Sequence, residues 1–321
     1  MLEPVIAIFP SEIRAILKQE EHRLSELQVE EIRIGVHQPL ICKTCDKEFY
    51  IDKQEKKIVP FIEHAWICSR MDIETMIAFL SKYSIYAYEE ELKGGFITLE
   101  GGHRVGIAGQ VVMEQGKVTH MAYISSLNIR IAHQRIGCAS ELYPYLYQDE
   151  EAKGVEHICH TLIVSSVGIG KTTCLRDCIR LLSGDIHSTS GVRVGVVDER
   201  SEIAACHLGV PQNNLGIRTD VLDRCLKSEG MLMLLRSMAP DVIAVDELGS
   251  KEDFMAVEQV MHAGVRILGT MHAADMTELT NRLSLQGWVQ KHIFERYIIL
   301  RKTHEGTRYF EIYDKQLERI R

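Results

Sequence analysis

The chain has 321 residues, more than one ordinary domain requires, so two domains are expected. Its 45% hydrophobic and 26% charged residues are close to the globular average, so a sizeable core can be buried, and its seven prolines and lack of biased tracts count against long disordered segments. A formal charge of −8 counts against a surface built to neutralise nucleic-acid phosphates.

From the N-terminus, Ser11 to Gln28 is charged and amphipathic, as a surface helix requires. Glu31-Ile-Arg-Ile-Gly-Val alternates and then meets Pro39, which reads as a strand and turn. Asp72 to Lys82 reads as a second helix with Asp72 as its N-cap. The run from Gly95 and the run from His103 flank Gly101-Gly102 and predict a hairpin. Asn128-Ile-Arg-Ile-Ala predicts a further short strand. Residues 1–147 are therefore expected to form an α+β domain, and the polar stretch 148–157 a linker.

Residues 158–321 change character. Short, continuous apolar runs at Leu162–Val164, Val194–Val197, Val242–Val245 and Val265–Leu268 alternate with helical patterns at Thr172–Leu182, Met231–Met238 and Phe254–His262. That alternation predicts an α/β domain whose parallel sheet is covered on both faces. Ligands of such sheets bind at the carboxyl ends of the strands, so the residue after each run is where chemistry is expected.

The nine cysteines form no disulfide-like framework and read as free thiols of a reducing compartment. Cys42 and Cys45 make the one Cys-x-x-Cys, without a second ligand pair at metal spacing. Met-Leu-Glu-Pro at the start lacks the basic and apolar regions of a signal peptide. No apolar run reaches the roughly 20 residues that span a bilayer. A soluble cytoplasmic chain is expected, with any membrane association made through partners.

The strongest motif follows the first of these runs. Ser165-Ser166-Val167-Gly168-Ile169-Gly170-Lys171-Thr172-Thr173 joins a strand to a helix, the context of a phosphate-binding loop. Gly168 and Gly170 let backbone N–H groups turn inward, and the following helix adds the positive end of its dipole. Lys171 supplies a point charge for the β- and γ-phosphates, and Thr172 a hydroxyl for Mg²⁺. Ser165 stands where this motif usually has its first glycine. Cys174 and Cys178, one turn apart, read as small core residues.

Three further strand ends point at the same crevice. Val242–Val245 runs into Asp246-Glu247, an arrangement in which one acid serves Mg²⁺ and the other orients the attacking water. Val194–Val197 runs into Asp198-Glu199-Arg200-Ser201-Glu202, whose acids need solvation or pairing with Arg200. The fourth run ends at Met271-His272, where a histidine is placed to sense the γ-phosphate or position a carboxylate.

Together these ends resemble the secretion-type hexameric ATPases of type II and type IV secretion and of pilus motors. Leu234 to Leu248 is similar to the segment entering that family's Walker B box, with Glu247 on its functional glutamate. Val197 to Glu202 resembles its "Asp box", with Glu202 on the terminal carboxylate, and Gly269 to Ala274 its "His box", with His272 matching. The resemblance implies a RecA-like P-loop NTPase core, bound ATP and Mg²⁺, and a homo-hexamer. It also implies nucleotide-contacting arginines from the preceding domain, for which Arg104 and Arg130 are the matches. The arginine that often follows the Walker B glutamate is Gly249 here.

Over nearly its whole length the chain also resembles a family of endospore-formation proteins within that superfamily. Gly101-Gly-His-Arg-Val-Gly, Ile124 to Ala132, Asp198 to Ala204 and Arg218 to Asp223 are among the runs that carry this resemblance. It implies a mother-cell protein serving the membrane proteins of a channel complex between mother cell and forespore. A nucleic-acid-dependent ATPase and a non-hydrolysing nucleotide-binding scaffold are the competing expectations.

Overall fold

The computed structural model describes residues 2–80, 95–114, 116–148, 154–184, 190–281, 288, 293–303 and 307–321. The chain divides into two compact units, Met1–His133 and Gln134–Arg321.

The first unit is built on an antiparallel sheet. Its strands are β1 (Glu31–Gly35), β2 (Ile41–Lys43), β3 (Glu48–Asp52), β4 (Lys57–Val59), β5 (Phe96–Thr98), β6 (Arg104–Glu114) and β7 (Lys117–Arg130), in the order β4-β3-β2-β1-β7-β6-β5. Alternation sets which side chains enter the core: Ile32 and Ile34 of β1, Val105 and Ile107 of β6, and Leu127 and Ile129 of β7 are all buried. Against them pack α1 (Glu3–Ala7), α2 (Ser11–Gln19), α3 (Glu21–Glu26) and α4 (Arg70–Leu80), through Ile13, Leu17, Ile73 and Met76 among others.

The single helix expected over Ser11–Gln28 is broken at Glu20, which caps α2 and opens α3. Asp72 is not the N-cap of α4. Ser69 holds that place, with its hydroxyl 3.2 Å from the Asp72 amide while the Asp72 carboxylate accepts from the Ser69 amide at 2.7 Å. This reciprocal box starts the helix earlier than Asp72 alone would; the expected end at Lys82 lies outside the described residues. Arg130 closes a much longer strand than Asn128–Ala132, because β6 and β7 pair from Arg104↔Arg130 out to Glu114↔Lys117. The outer part of that ribbon has no consistently buried face and hence no alternating pattern to read. Of the Cys-x-x-Cys pair, Cys42 is buried in the core, where burial pushes its thiol up to about 12, while Cys45 is exposed.

The second unit begins earlier than the polar stretch 148–157 suggested. Ala139, Leu142 and Leu146 are buried in its core with Ile158 and Ile163, so burial places the segment before that stretch in this unit. Residues 149–153 lie outside the described residues. Its sheet contains β8 (Thr161–Ser165), β9 (Val194–Asp198), β10 (Thr219–Asp223), β11 (Val242–Val245), β12 (Arg266–His272), β13 (Arg296–Lys302) and β14 (Arg308–Asp314), ordered β10-β9-β11-β12-β8-β13-β14. All neighbouring pairs are parallel except β13 with the edge strand β14.

Among the described residues the helices of this unit include α5 (Lys171–Ser183), α6 (Lys227–Ser237), α7 (Lys251–His262) and α8 (Met276–Asn281). Successive residues of each strand enter opposite cores. Leu162, Val164, Ile243 and Val245 join α6 and α7 through Met231, Leu234, Val257 and Val260. Ile163, Val242 and Ala244 join α5 through Leu175, Cys178 and Ile179. The sheet is therefore covered on both faces, as the continuous apolar runs predict. The four predicted strands β8, β9, β11 and β12 are present and adjacent. Among the described residues no helix is long and apolar enough to cross a membrane.

Candidate nucleotide site

Because β9, β11, β12 and β8 are neighbours, their carboxyl ends bring Asp198, Asp246, His272 and Ser165 to one edge of the sheet. The register fixes them: Val245 lies beside Val197 and Gly269, and His272 beside Ser165.

The loop leaves β8 at Ser165, which is fully buried and donates its hydroxyl to the Ser166 carbonyl at 2.9 Å. Ser165 is not among the residues of positive φ, so its Cβ costs no backbone strain where glycine is usual. Ser166 and Val167 are exposed at the tip, and Ile169 is half-buried. Gly168 at φ +80° and Gly170 at φ +111° supply the left-handed turns that carry the chain into α5. Thr172 and Thr173 follow in its first turn.

Lys171 is only 5% exposed, and its Nζ lies 2.8 Å from His272 Nδ1. An ammonium has no acceptor, so Lys171 donates, and the imidazole then carries its own proton on Nε2. That nitrogen donates to Glu247 Oε1 at 2.8 Å, and Glu247 Oε2 meets the Arg200 guanidinium at 2.9 Å. Lys171, His272, Glu247 and Arg200 thus form one continuous polar chain. Burial pulls the Lys171 ammonium below its ordinary pKa, against the opposing charges of Asp246 and Glu247. Burial disfavours the Glu247 carboxylate, but the His272 hydrogen bond and the Arg200 and Lys171 charges outweigh it and hold its pKa below the ordinary value. Glu247 is therefore ionised at neutral pH.

Asp246 is gripped by two hydroxyls. Thr172 Oγ1 donates to its Oδ2 at 2.5 Å and Thr270 Oγ1 donates to its Oδ1. Thr270 in turn accepts from the Glu247 amide at 2.9 Å. Glu247 sits at φ +54°, a conformation costing a side-chain-bearing residue about 1–3 kcal/mol. The turn re-aims its carboxylate toward His272. Thr172 and Asp246 are hard oxygen donors side by side, which is the donor chemistry that suits Mg²⁺.

The acidic run after β9 divides its labour. Asp198 is buried and accepts from the amides of Glu202, Ile203 and Ala204 at 2.8, 3.0 and 2.8 Å. Burial pushes its carboxyl above the ordinary value, while the three amides act in the opposite sense. Its role is to fold the loop that presents Glu202. Arg176 of α5 secures the same loop by donating to the Glu202 carbonyl at 2.7 Å and the Ile203 carbonyl at 2.8 Å. Glu199 pairs with Lys227, and Arg200 reaches across to Glu247. The Glu202 side chain is exposed, at the recess that Asp198, Glu199, Arg200, Lys227, Asp246 and Glu247 also line. Replacing Asp198 with Ala leaves three buried amides unsatisfied, so a loss of about 3 kcal/mol is expected in urea denaturation. An unchanged midpoint would show that the loop folds without this acid.

Arg104 and Arg130 belong to the other unit. They are direct cross-strand partners on β6 and β7, with Glu31 opposite Arg130 on its other side. The Arg104 guanidinium lies 4.9 Å over the Phe96 ring. Sequence reasoning missed Thr270, which a hydroxyl one strand from the acids would signal, and Arg176, whose helix position gives no such hint. Gly249, where the resemblance expects arginine, donates its amide to Asp253 at the start of α7.

This fold is that of the RecA-like secretion ATPases. The chain is similar to the pilus retraction motor PilT with bound ADP (TM-score 0.58, 14% identity, 92% of this chain and 81% of that one). It is likewise similar to the ATPase DotB of Legionella pneumophila (TM-score 0.56, 14% identity, 94% and 81%). The model of the family described as sporulation stage III, protein AA matches residues 2–320, and the chain belongs to that family. It is 40% identical over 289 residues to stage III sporulation protein AA of Bacillus subtilis (strain 168), covering 90% of this chain and 88% of that protein.

Proposed function

We propose that the chain hydrolyses ATP as the motor of a secretion-like membrane channel complex in endospore formation, working from the mother-cell cytoplasm toward the forespore. The supporting observation is the convergence of Lys171, Thr172, Asp246, Glu247 and His272 at three adjacent strand ends, those of β8, β12 and β11. In this reading the amides of 165–173 and the Lys171 ammonium hold the phosphates, and Thr172 and Asp246 hold Mg²⁺. The bound cation offsets charge on the β- and γ-phosphate oxygens.

Glu247, ionised and oriented by His272 and Arg200, accepts a hydrogen bond from the attacking water and aims its lone pair at the γ-phosphorus. His272 couples that carboxylate to Lys171, so the phosphate-binding and water-positioning groups are tied together. Glu202 lines the recess as the second candidate for the water. Arg104 or Arg130, from the Met1–His133 unit of the same or an adjacent subunit, stabilises charge on the γ-phosphate. A homo-hexamer whose N-terminal unit moves against the Gln134–Arg321 unit would pass that energy to membrane partners.

The test is phosphate release from Mg·ATP by the purified chain, with and without single-stranded nucleic acid. Turnover that nucleic acid leaves unchanged is expected. Strong, salt-sensitive stimulation would favour a nucleic-acid-dependent ATPase, and binding without release would favour a scaffold.

A further inference from the structure

Two recesses lie near the phosphate loop. One is lined by the carboxylates Asp198, Glu199, Glu202, Asp246 and Glu247. The other is a cavity of about 310 Å³, within the roughly 300–1,000 Å³ typical of small-molecule sites. Ile169, Gly170 and Cys174 of the loop and α5 form one wall, and Leu142, Leu300 and Phe310 give it apolar surface.

The cation of this cavity is Arg308, the first residue of β14. A Cβ built on Gly170 would stand 3.0–3.2 Å from its guanidinium, so the arginine lies directly against the loop. Its side chain is exposed, and among the described residues it has no hydrogen-bond or ion-pair partner. The neighbouring arginines of this hairpin are engaged: Arg301 and Arg319 both meet Glu311. A planar five-donor group held beside a phosphate loop, without a partner among the described residues, is arranged to receive an anion.

We propose that Arg308 binds the nucleotide from the outer side of the loop, with the cavity behind it taking the base and ribose. The proposal rests on the ATPase reading and adds direction to it. A triphosphate whose terminal phosphate meets Asp246 and Glu247 must run back along the loop, and its other end leaves past Gly170. There Arg308 meets the phosphates nearest the ribose, and the apolar wall accepts the flat face of a base. Arg308 touches the ground state and transition state alike, so its contribution is to affinity and not to the chemical step.

The experiment compares full-length wild type, Lys171→Ala, Arg308→Ala and Arg308→Lys in equilibrium binding of Mg·ADP and of pyrophosphate, with steady-state turnover in parallel. Arg308→Ala is expected to weaken ADP ten- to hundredfold and to raise KM for ATP similarly, with kcat within about twofold. Arg308→Lys is expected to recover part of the loss, since it keeps the charge but not the fork. Wild type is expected to bind ADP at least tenfold more tightly than pyrophosphate, which has nothing to fill the cavity. If Arg308→Ala binds ADP as wild type does while Lys171→Ala does not, this proposal falls and the ATPase reading stands. Equal wild-type affinities for ADP and pyrophosphate would also overturn it. If wild type binds no ADP at all, the ATPase reading fails and takes the proposal with it.

Discussion

Lys171→Ala is expected to cut ATP turnover by about 10²–10³-fold or more while leaving the fold intact. The ammonium is the positive charge that the loop itself contributes, buried against His272 and facing Asp246 and Glu247. Without it the incoming triphosphate meets two acids with nothing between, so binding and hydrolysis should fail together. The fold should survive, because burial already disfavours the charged amine and the apolar contacts of α5 lie on other residues, Leu175, Cys178 and Ile179. Phosphate release and thermal unfolding measured side by side check this. A variant that unfolds at the wild-type temperature and hydrolyses at the wild-type rate would remove the site from consideration.

Glu247→Gln tests the next step. The amide keeps the shape and still accepts from His272 Nε2, but it loses the charge that Arg200 and Lys171 hold ionised. Turnover is expected to fall by about 10²–10³-fold with ATP affinity within a few-fold of wild type. Glu202→Gln is expected to cost less than tenfold, because that side chain is exposed whereas Glu247 is the acid held against His272. Rapid-mix single-turnover assays separate the two. A larger loss for Glu202→Gln would transfer the water-positioning role to the "Asp box".

The parts of the fold that were legible in the sequence are those with a one-dimensional signature. Leu162–Val164 and Val242–Val245 are buried on both faces and read as unbroken apolar runs. The loop after them needs glycine at two left-handed positions, and both glycines are visible. The parts that were not legible depend on partners distant in sequence. Tyr297 to Leu300 is as apolar as the predicted runs, yet its place between β8 and β14 comes from pairing that no local pattern specifies. The Asp198 carboxylate reads as one more acid in a charged cluster. Only the structure shows it turned inward onto three amides, with Glu202 left as the exposed one. The reach of Arg200 to Glu247, at another strand end, is likewise visible only in the structure. Arg308 lies 138 positions beyond Gly170 in the sequence and reaches it through the hairpin of β13 and β14.

One consequence follows from the parallel registry of β9, β11, β12 and β8. Strands hydrogen-bonded along their length do not slide past one another without breaking the whole ladder, so the acids, the histidine and the loop entrance keep fixed spacings. A frame of this kind does not bend. Any change of shape that follows ligand binding must therefore fall on the loops at its rim.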